Sequence, residues 1–314
     1  MKPIAINLEQ CNGLGDLICA TPTIKKLHDY YGKRVTVISQ RPDIFKENPY
    51  VDASYKRSSV DMDHFSSNYI VHDTFYNVGK KNERGIEYKH NMIDIRQFHA
   101  IQLGFMLAKD EMECHYRPVF PIDESMIPDK PYVVIHPVSS WPTRTWEASR
   151  WMELTAKLNE QGIHVVSIGK DSSETGFFNV QKPVFNFDIP LGRNLMNKTS
   201  VSDCWWIIQK SACFVTMDSG LLHLAGTTEA PIIHLGSNIK QEFRAPYRKG
   251  GQTWKYRYVR GSCALECGSD AKHGIKEWGN IQGVAPLIRC LENYPTMECH
   301  PPVDSVYASI REYL

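Results

Sequence analysis

A chain of 314 residues, 42% hydrophobic and 23% charged, has apolar material for two ordinary cores, and its composition is not that of a disordered segment. Lys and Arg total 36 against 35 Asp and Glu, so a net charge of +1 gives no general drive toward nucleic acid or an anionic membrane, and any anion must be held locally. No run of about 18 apolar residues suggests a membrane span, the apolar N-terminal stretch is too short for a signal peptide, and nine cysteines without such a signal argue against a disulfide framework; a cytosolic location is expected, with peripheral attachment to a membrane left open.

Residues 4–8 read as a buried strand that runs into the small polar turn Gly13-Leu14-Gly15-Asp16. Apolar Leu17, Ala20, Ile24, Leu27 and Tyr31 follow at helical spacing, with Thr21-Pro22 marking a late start or a bend. Residues 34–38 supply a second strand and complete a β-α-β unit. Residues 41–125 are less regular: short apolar runs such as Tyr69-Ile70-Val71, a polar stretch over 79–85 and a helix-like segment over 92–107. Acceptor-facing loops are expected there, because irregular insertions on a regular scaffold are where specificity sits. Residues 122–131, rich in proline and charge, read as an interdomain linker.

The pattern then becomes regular. Strands are expected at 132–136, 164–168, 184–187, 213–217 and 232–235, and helices at 146–161 (closed by Gly162), 202–211, 220–228 and, amphipathic, 305–314. Such alternation implies an α/β fold with parallel sheets and helices on both faces.

Strand-to-helix turns are where such folds hold phosphates and reacting groups, because free N–H groups and a helix dipole point out of them. Asp16 enters a helix behind Gly13 and Gly15, which suits a base facing a cleft; it equally suits a first-turn acid complementing the helix dipole. A third glycine at dinucleotide-fingerprint spacing is missing. Ser139, Ser140 and Arg144 follow the strand at 132–136 and offer two hydroxyls and a bidentate cation for a diphosphate. Asp218-Ser219-Gly220 forms a second such mouth, with Asp218 orienting donors; N-capping is the alternative for each serine. His223 lies one turn beyond Ser219, as a structural or a catalytic group. Lys170 follows Gly169 at another strand end, as a nucleotide contact or a solvated charge. Four of the nine cysteines, Cys263, Cys267, Cys290 and Cys299, crowd the C-terminal part, as a structural zinc or iron site or as reduced thiols.

Three of these segments, residues 13–22, residues 135–140 with Arg144 and Trp146, and residues 218–225, together resemble glycosyltransferase family 9, the bacterial heptosyltransferase family. The resemblance implies a GT-B architecture of two Rossmann-like domains: an acceptor domain over 1–125, a nucleotide-sugar donor domain over 126–300 with the Cys-rich tail, and a C-terminal helix over 301–314. It further implies Asp16 as general base, Ser139, Ser140, Arg144, Ser219 and Gly220 as the diphosphate cradle, and Gly13, Gly15, Asp218 and His223 as supports. Val138 and Arg144 stand where the family often has glycine and lysine, so a phosphate loop of different shape is expected.

The expected activity is inverting transfer of a sugar, heptose by family default, from a nucleotide-diphosphate sugar such as ADP-heptose to a glycan, lipopolysaccharide-core, lipid-linked or protein acceptor. No catalytic metal is needed for this, and the cleft between the domains is expected to close. A nucleotide-sugar epimerase of the same fold and a non-catalytic nucleotide-sugar or glycan-binding module are the alternatives, separated by product analysis.

Overall fold

The computed structural model describes residues 2–11, 13–74, 93–139, 142–170, 188–249, 255–269, 290 and 297–314. The first sheet contains β1 (Ile4–Asn7), β2 (Val35–Ser39), β3 (Val51–Lys56) and β4 (Ile70–Asp73) in the order β3-β2-β1-β4, all parallel. Helices α1 (Leu14–Cys19) and α2 (Thr21–Tyr31) connect β1 to β2, and α3 (Met62–Asn68) leads into β4. The apolar periodicity over 17–31 is therefore two helices meeting at Ala20, with Pro22 in the first turn of α2, where a missing N–H costs nothing. α2 stops at Gly32, whose φ of +64° is a left-handed conformation that glycine tolerates best.

The second sheet contains β5 (Tyr132–His136), β6 (His164–Ser167), β7 (Gly192–Asn194), β8 (Cys213–Thr216), β9 (Ile232–Leu235) and β10 (Tyr256–Val259), in the order β10-β9-β8-β5-β6-β7 and again all parallel. This is the doubly wound order, with the chain reversing direction across the sheet between β5 and β8. Around the two sheets lie α4 (Ile95–Gln102), α5 (Ala148–Glu160), α6 (Val201–Gln209), α7 (Gly220–Ala225) and α8 (Val303–Arg311).

Several expected elements shift. The helix over 92–107 contracts to α4, whose N-cap Asp94 accepts from the Arg96 N–H. The helix expected over 220–228 ends at Ala225, and the terminal one spans Val303–Arg311. Strands β3, β7 and β10 and helix α3 were not anticipated. The strand expected over 184–187 and the polar stretch over 79–85 lie outside the described residues.

One apolar cluster crosses from sheet to sheet. It joins Ile4, Ile6, Val35 and Val37 of the first to Tyr132, Val134 and Ile232 of the second through Leu17 and Ile18 of α1 and Leu221 and Leu222 of α7. Each such buried side chain contributes roughly 1.5–3 kcal/mol. The chain before the linker also stitches the halves: His115 N–H donates to Thr21 Oγ1 (2.8 Å), and Val119 N–H donates to Ser202 Oγ (3.1 Å). A second cluster, on the far face of the second sheet, holds Trp146 and Trp151 against Val303, Val306 and Ile310 of α8.

Candidate active site

In doubly wound sheets, ligands sit beyond the carboxyl ends of the strands where the order reverses. The loops that leave β5 and β8 there carry Ser139 and Arg144 on one side and Asp218, Ser219 and Gly220 on the other. Ser140 lies outside the described residues. Ser139 Oγ donates to the Asp218 carbonyl at 3.5 Å, and Arg144 Nη1 donates to Asp218 Oδ2 at 2.9 Å. Burial would raise the Asp218 carboxyl, but the Arg144 and Arg244 guanidiniums hold it well below the usual carboxylate range. Asp218 is thus a fixed anion that ties its neighbours' donors in place.

Ser219 is the N-cap of α7. Its Oγ accepts from the Leu222 N–H at 3.3 Å and stands 3.2 Å from Thr216 Oγ1. The capping role and a contact to a phosphate oxygen are compatible, because a hydroxyl oxygen has two lone pairs and one proton.

Asp16 occupies the first turn of α1 and is half-buried, with its carboxylate folded back over Gly13: a Cβ at Gly13 would run into Asp16 Oδ2. Glycine is required at 15 for a different reason. A Cβ there would stand 2.9 Å from His223 Cδ2 and 3.2 Å from Gly220 Cα, and a Cβ at Gly220 would stand 3.0 Å from Gly15 N. The two glycine-bearing turns, about 200 residues apart in sequence, therefore touch backbone to backbone where α1 packs on α7. His223 fills the space beside them; burial drives its pKa down to about 3, so it is neutral, within reach of the charges of Asp218 and Asp16.

His136, the last residue of β5, is also buried and lowered by burial to about 4, with Nδ1 3.1 Å from Thr216 Oγ1. Gly169, at φ +139°, passes its ring so closely that a Cβ would lie 2.8 Å from His136 Cδ2. Lys170 follows, exposed to solvent.

Arg244 is a residue that sequence reasoning missed. It stands just beyond β9, with Nε 3.3 Å from Asp218 Oδ2 and only 1% of its surface exposed. A rule that searches each strand end of the second sheet for cations would have reached it, although a charge in a loop usually reads as solvated.

Cys263, Cys267, Cys290 and Cys299 come near one another. Burial raises Cys267 and pushes Cys299 up to about 12, and neighbouring thiols of the set add to both shifts. Four thiols are a donor set suited to zinc or iron, yet among the described residues no three His, Cys, Asp or Glu side chains stand in a ligating arrangement. Nor is any helix among the described residues long and apolar enough to cross a membrane.

Comparison with known proteins gives a family match over more than half of the chain: a sequence model of glycosyltransferase family 9 (heptosyltransferase) matches residues 83–259. Over 125 residues the chain is 24% identical to lipopolysaccharide heptosyltransferase 2 of Salmonella typhimurium strain LT2, an alignment covering 40% of this chain and 36% of that protein. Among solved structures, the iron-containing dodecameric glycosyltransferase TibC of enterotoxigenic E. coli H10407 superposes with a TM-score of 0.70 at 17% identity, over 99% of this chain and 76% of that one. TibC in complex with ADP-D-β-D-heptose gives the same TM-score of 0.70 at 15% identity and the same coverage, 99% and 76%. E. coli ADP-heptose lipopolysaccharide heptosyltransferase II superposes with a TM-score of 0.60 at 16% identity, over 85% of this chain and 92% of that one. At these identities the likeness is one of fold, and the fold is GT-B.

Proposed function

Because this chain belongs to glycosyltransferase family 9, the heptosyltransferase family, we propose that it transfers a sugar with inversion from a nucleotide-diphosphate sugar to an acceptor hydroxyl. The observation that supports this most is the packing of α1 on α7, which puts the Asp16 turn of the first sheet against the Ser219-Gly220 turn of the second. A base and a phosphate mouth from different halves then face one reaction centre.

In this reading the acceptor oxygen attacks the anomeric carbon while the bond from that carbon to the diphosphate oxygen breaks. Asp16 takes the acceptor's proton, and the diphosphate leaves with the bonding electrons. Ser139, Ser140, Arg144, Ser219 and the N–H of Gly220 hold the departing charge, which grows in the transition state and is therefore worth more there than in the ground state. Gly13, Gly15, Asp218 and His223 support these groups, and Lys170 reaches toward the nucleotide. The donor half would comprise residues 126–300, the acceptor half 1–125 and the final helix 301–314. Adenine and heptose are the proposed donor parts, by analogy with the ADP-heptose in the TibC complex; a glycan, lipopolysaccharide core, lipid-linked sugar or protein is the proposed acceptor, reached in the cytoplasm or at its membrane surface. A structural zinc or iron at the four C-terminal thiols would require them to close from their present arrangement, which holds no ligating set of three among the described residues, and would take no part in transfer; metal content of untagged protein, wild type against Cys263→Ser, tests this.

The main test incubates the full chain with a panel of nucleotide sugars and candidate acceptors and follows released nucleoside diphosphate and product. Transferred sugar is expected with wild type. Asp16→Ala should lose at least about 100-fold in kcat, the scale of a general base, while still binding nucleoside diphosphate. An Asp16→Ala protein of normal kcat would remove the base assignment, and isomerised free sugar would replace transfer by epimerisation.

A further inference from the structure

The loop after β9 reaches the same sheet edge as the loops after β5 and β8, and it brings a second guanidinium to Asp218. Arg244 follows the single turn Gln241–Phe243 and is among the largest fully buried side chains of the protein. Its Nη1 donates to the Phe243 carbonyl at 3.0 Å, while its Nε stands 3.3 Å from Asp218 Oδ2. Arg144 Nη1 reaches the same oxygen at 2.9 Å. One carboxylate therefore links three strand-end loops, and it does so one residue before Ser219.

Stability alone is a weak reason for such a cluster, because buried ion pairs can often be replaced by apolar groups without loss. Geometry gives a better one. A carboxylate and a lone guanidinium prefer to meet fork to fork, through two parallel hydrogen bonds. With Arg244 also drawing on Oδ2, Arg144 Nη1 shares its acceptor with a second guanidinium, and the plane in which Arg144 lies is set by a carboxylate that this second cation holds as well.

We infer that Arg244 is a positioning residue for the donor: acting through Asp218, it sets the orientation in which Arg144 presents its guanidinium to the nucleotide diphosphate. This rests on Arg144 being a diphosphate ligand, as argued for the proposed function. Without Arg244, Asp218 turns both oxygens to Arg144, and the fork that should meet phosphate closes on the carboxylate. Arg244 thus contributes to donor affinity only while Arg144 is present.

That dependence is what a double-mutant cycle reads. Binding of ADP, UDP and GDP to the full chain is measured by calorimetry for wild type, Arg144→Ala, Arg244→Met, Arg244→Lys and the Arg144→Ala/Arg244→Met double variant. For the nucleotide that binds best, Arg244→Met is expected to weaken affinity about tenfold, and the double variant to fall within about twofold of Arg144→Ala alone. Arg244→Lys keeps the charge without the planar fork and should recover only part of the loss. A merely structural role for Arg244 would weaken binding equally in both backgrounds, and that result, or an unchanged affinity in Arg244→Met, overturns the inference. If Arg244→Met does not fold, Arg244→Lys carries the cycle with the same criterion. A failure of the functional reading looks different: Arg144→Ala then leaves every affinity unchanged, or wild type binds none of the three, and the inference falls with it.

Discussion

At the scale of single residues, the candidate site is a place where burial decides protonation. His136, His223 and His234 are buried beneath it, and burial first of all depresses them to about 4, about 3 and about 4 from an ordinary 6.5. Each is therefore neutral in the native protein at a pH where the unfolded chain would bind a proton. A depressed histidine contributes stability that is complete above about pH 6.5 and is lost as the pH falls from there toward the folded value, at up to about 1.4 kcal/mol per unit for each. His72 and His115, also lowered by burial, act in the same direction. Asp218, held low by its arginines, adds its loss only below the ordinary carboxylate range. Thermal unfolding should accordingly show Tm falling between pH 6.5 and 4.5, ahead of carboxylate titration. A Tm that is level across that interval would contradict the neutral assignment of the three histidines.

At the scale of elements, α7 shows how a helix too short to persist alone is kept. Six residues cannot offset the cost of helix nucleation, and α7 draws on caps at both ends. Ser219 accepts at its N-terminus, and Arg248 donates through Nη2 to the Ala225 carbonyl (2.7 Å) and through Nε to the Gly226 carbonyl (3.3 Å) at the other. A cation on terminal carbonyls also complements the helix dipole. Arg248→Met should cost about 1.5–3 kcal/mol, the range for hydrogen bonds to a charged group, measured by denaturant unfolding; a loss within about 0.5 kcal/mol would make Arg248 an ordinary surface cation. Elements also differ in how plainly the sequence announces them. β5 and β8, central and buried along their whole length, appear as unbroken apolar runs and were readable at once. β3, β7 and β10 are edge strands: only Val51 is buried in the first, Gly192-Arg193-Asn194 has no apolar residue, and only Val259 is buried in the last. With one flank and one face unburied, an edge strand lacks the periodicity that betrays its neighbours. The motif residues Asp16, Ser139, Arg144, Asp218 and Ser219 were legible because each follows a readable strand; Arg244 was not, because only the folded chain sets it against Asp218.

At the scale of the whole molecule, the two sheets are not independent bodies. The cluster that contains Ile6 and Val37 also contains Val134 and Leu222, and Tyr116, from the chain between the sheets, is buried in it with its hydroxyl 3.2 Å from Ser202 Oγ. Gly15→Ala probes this junction. The added Cβ meets His223 and the Gly220 backbone, neither of which can withdraw into solvent. A loss of about 1–3 kcal/mol is expected, the usual cost of overpacking, together with a loss of sugar transfer larger than the loss of ADP affinity that pressure on Gly220 brings, since the proposed base Asp16 is the next residue to the added Cβ. Equal losses of transfer and ADP affinity would place the damage in the donor site instead.

The meeting of Gly15 and Gly220 has a mechanical consequence. Helices that interlock through side chains resist sliding, because every ridge must climb out of its groove. Here two glycine backbones press together with Leu14 and His223 beside them, so the contact at its centre resembles a plain bearing more than a gear. A rotation of one half against the other that pivots at this point meets no side chain at Gly15 or Gly220 themselves, and the resistance comes from Leu17 and Ile18 turning against Leu221 and Leu222 around it. Asp16, one residue from the pivot, then sweeps a small arc, so the spacing between the proposed base and the proposed leaving group is a dimension that such a motion disturbs little.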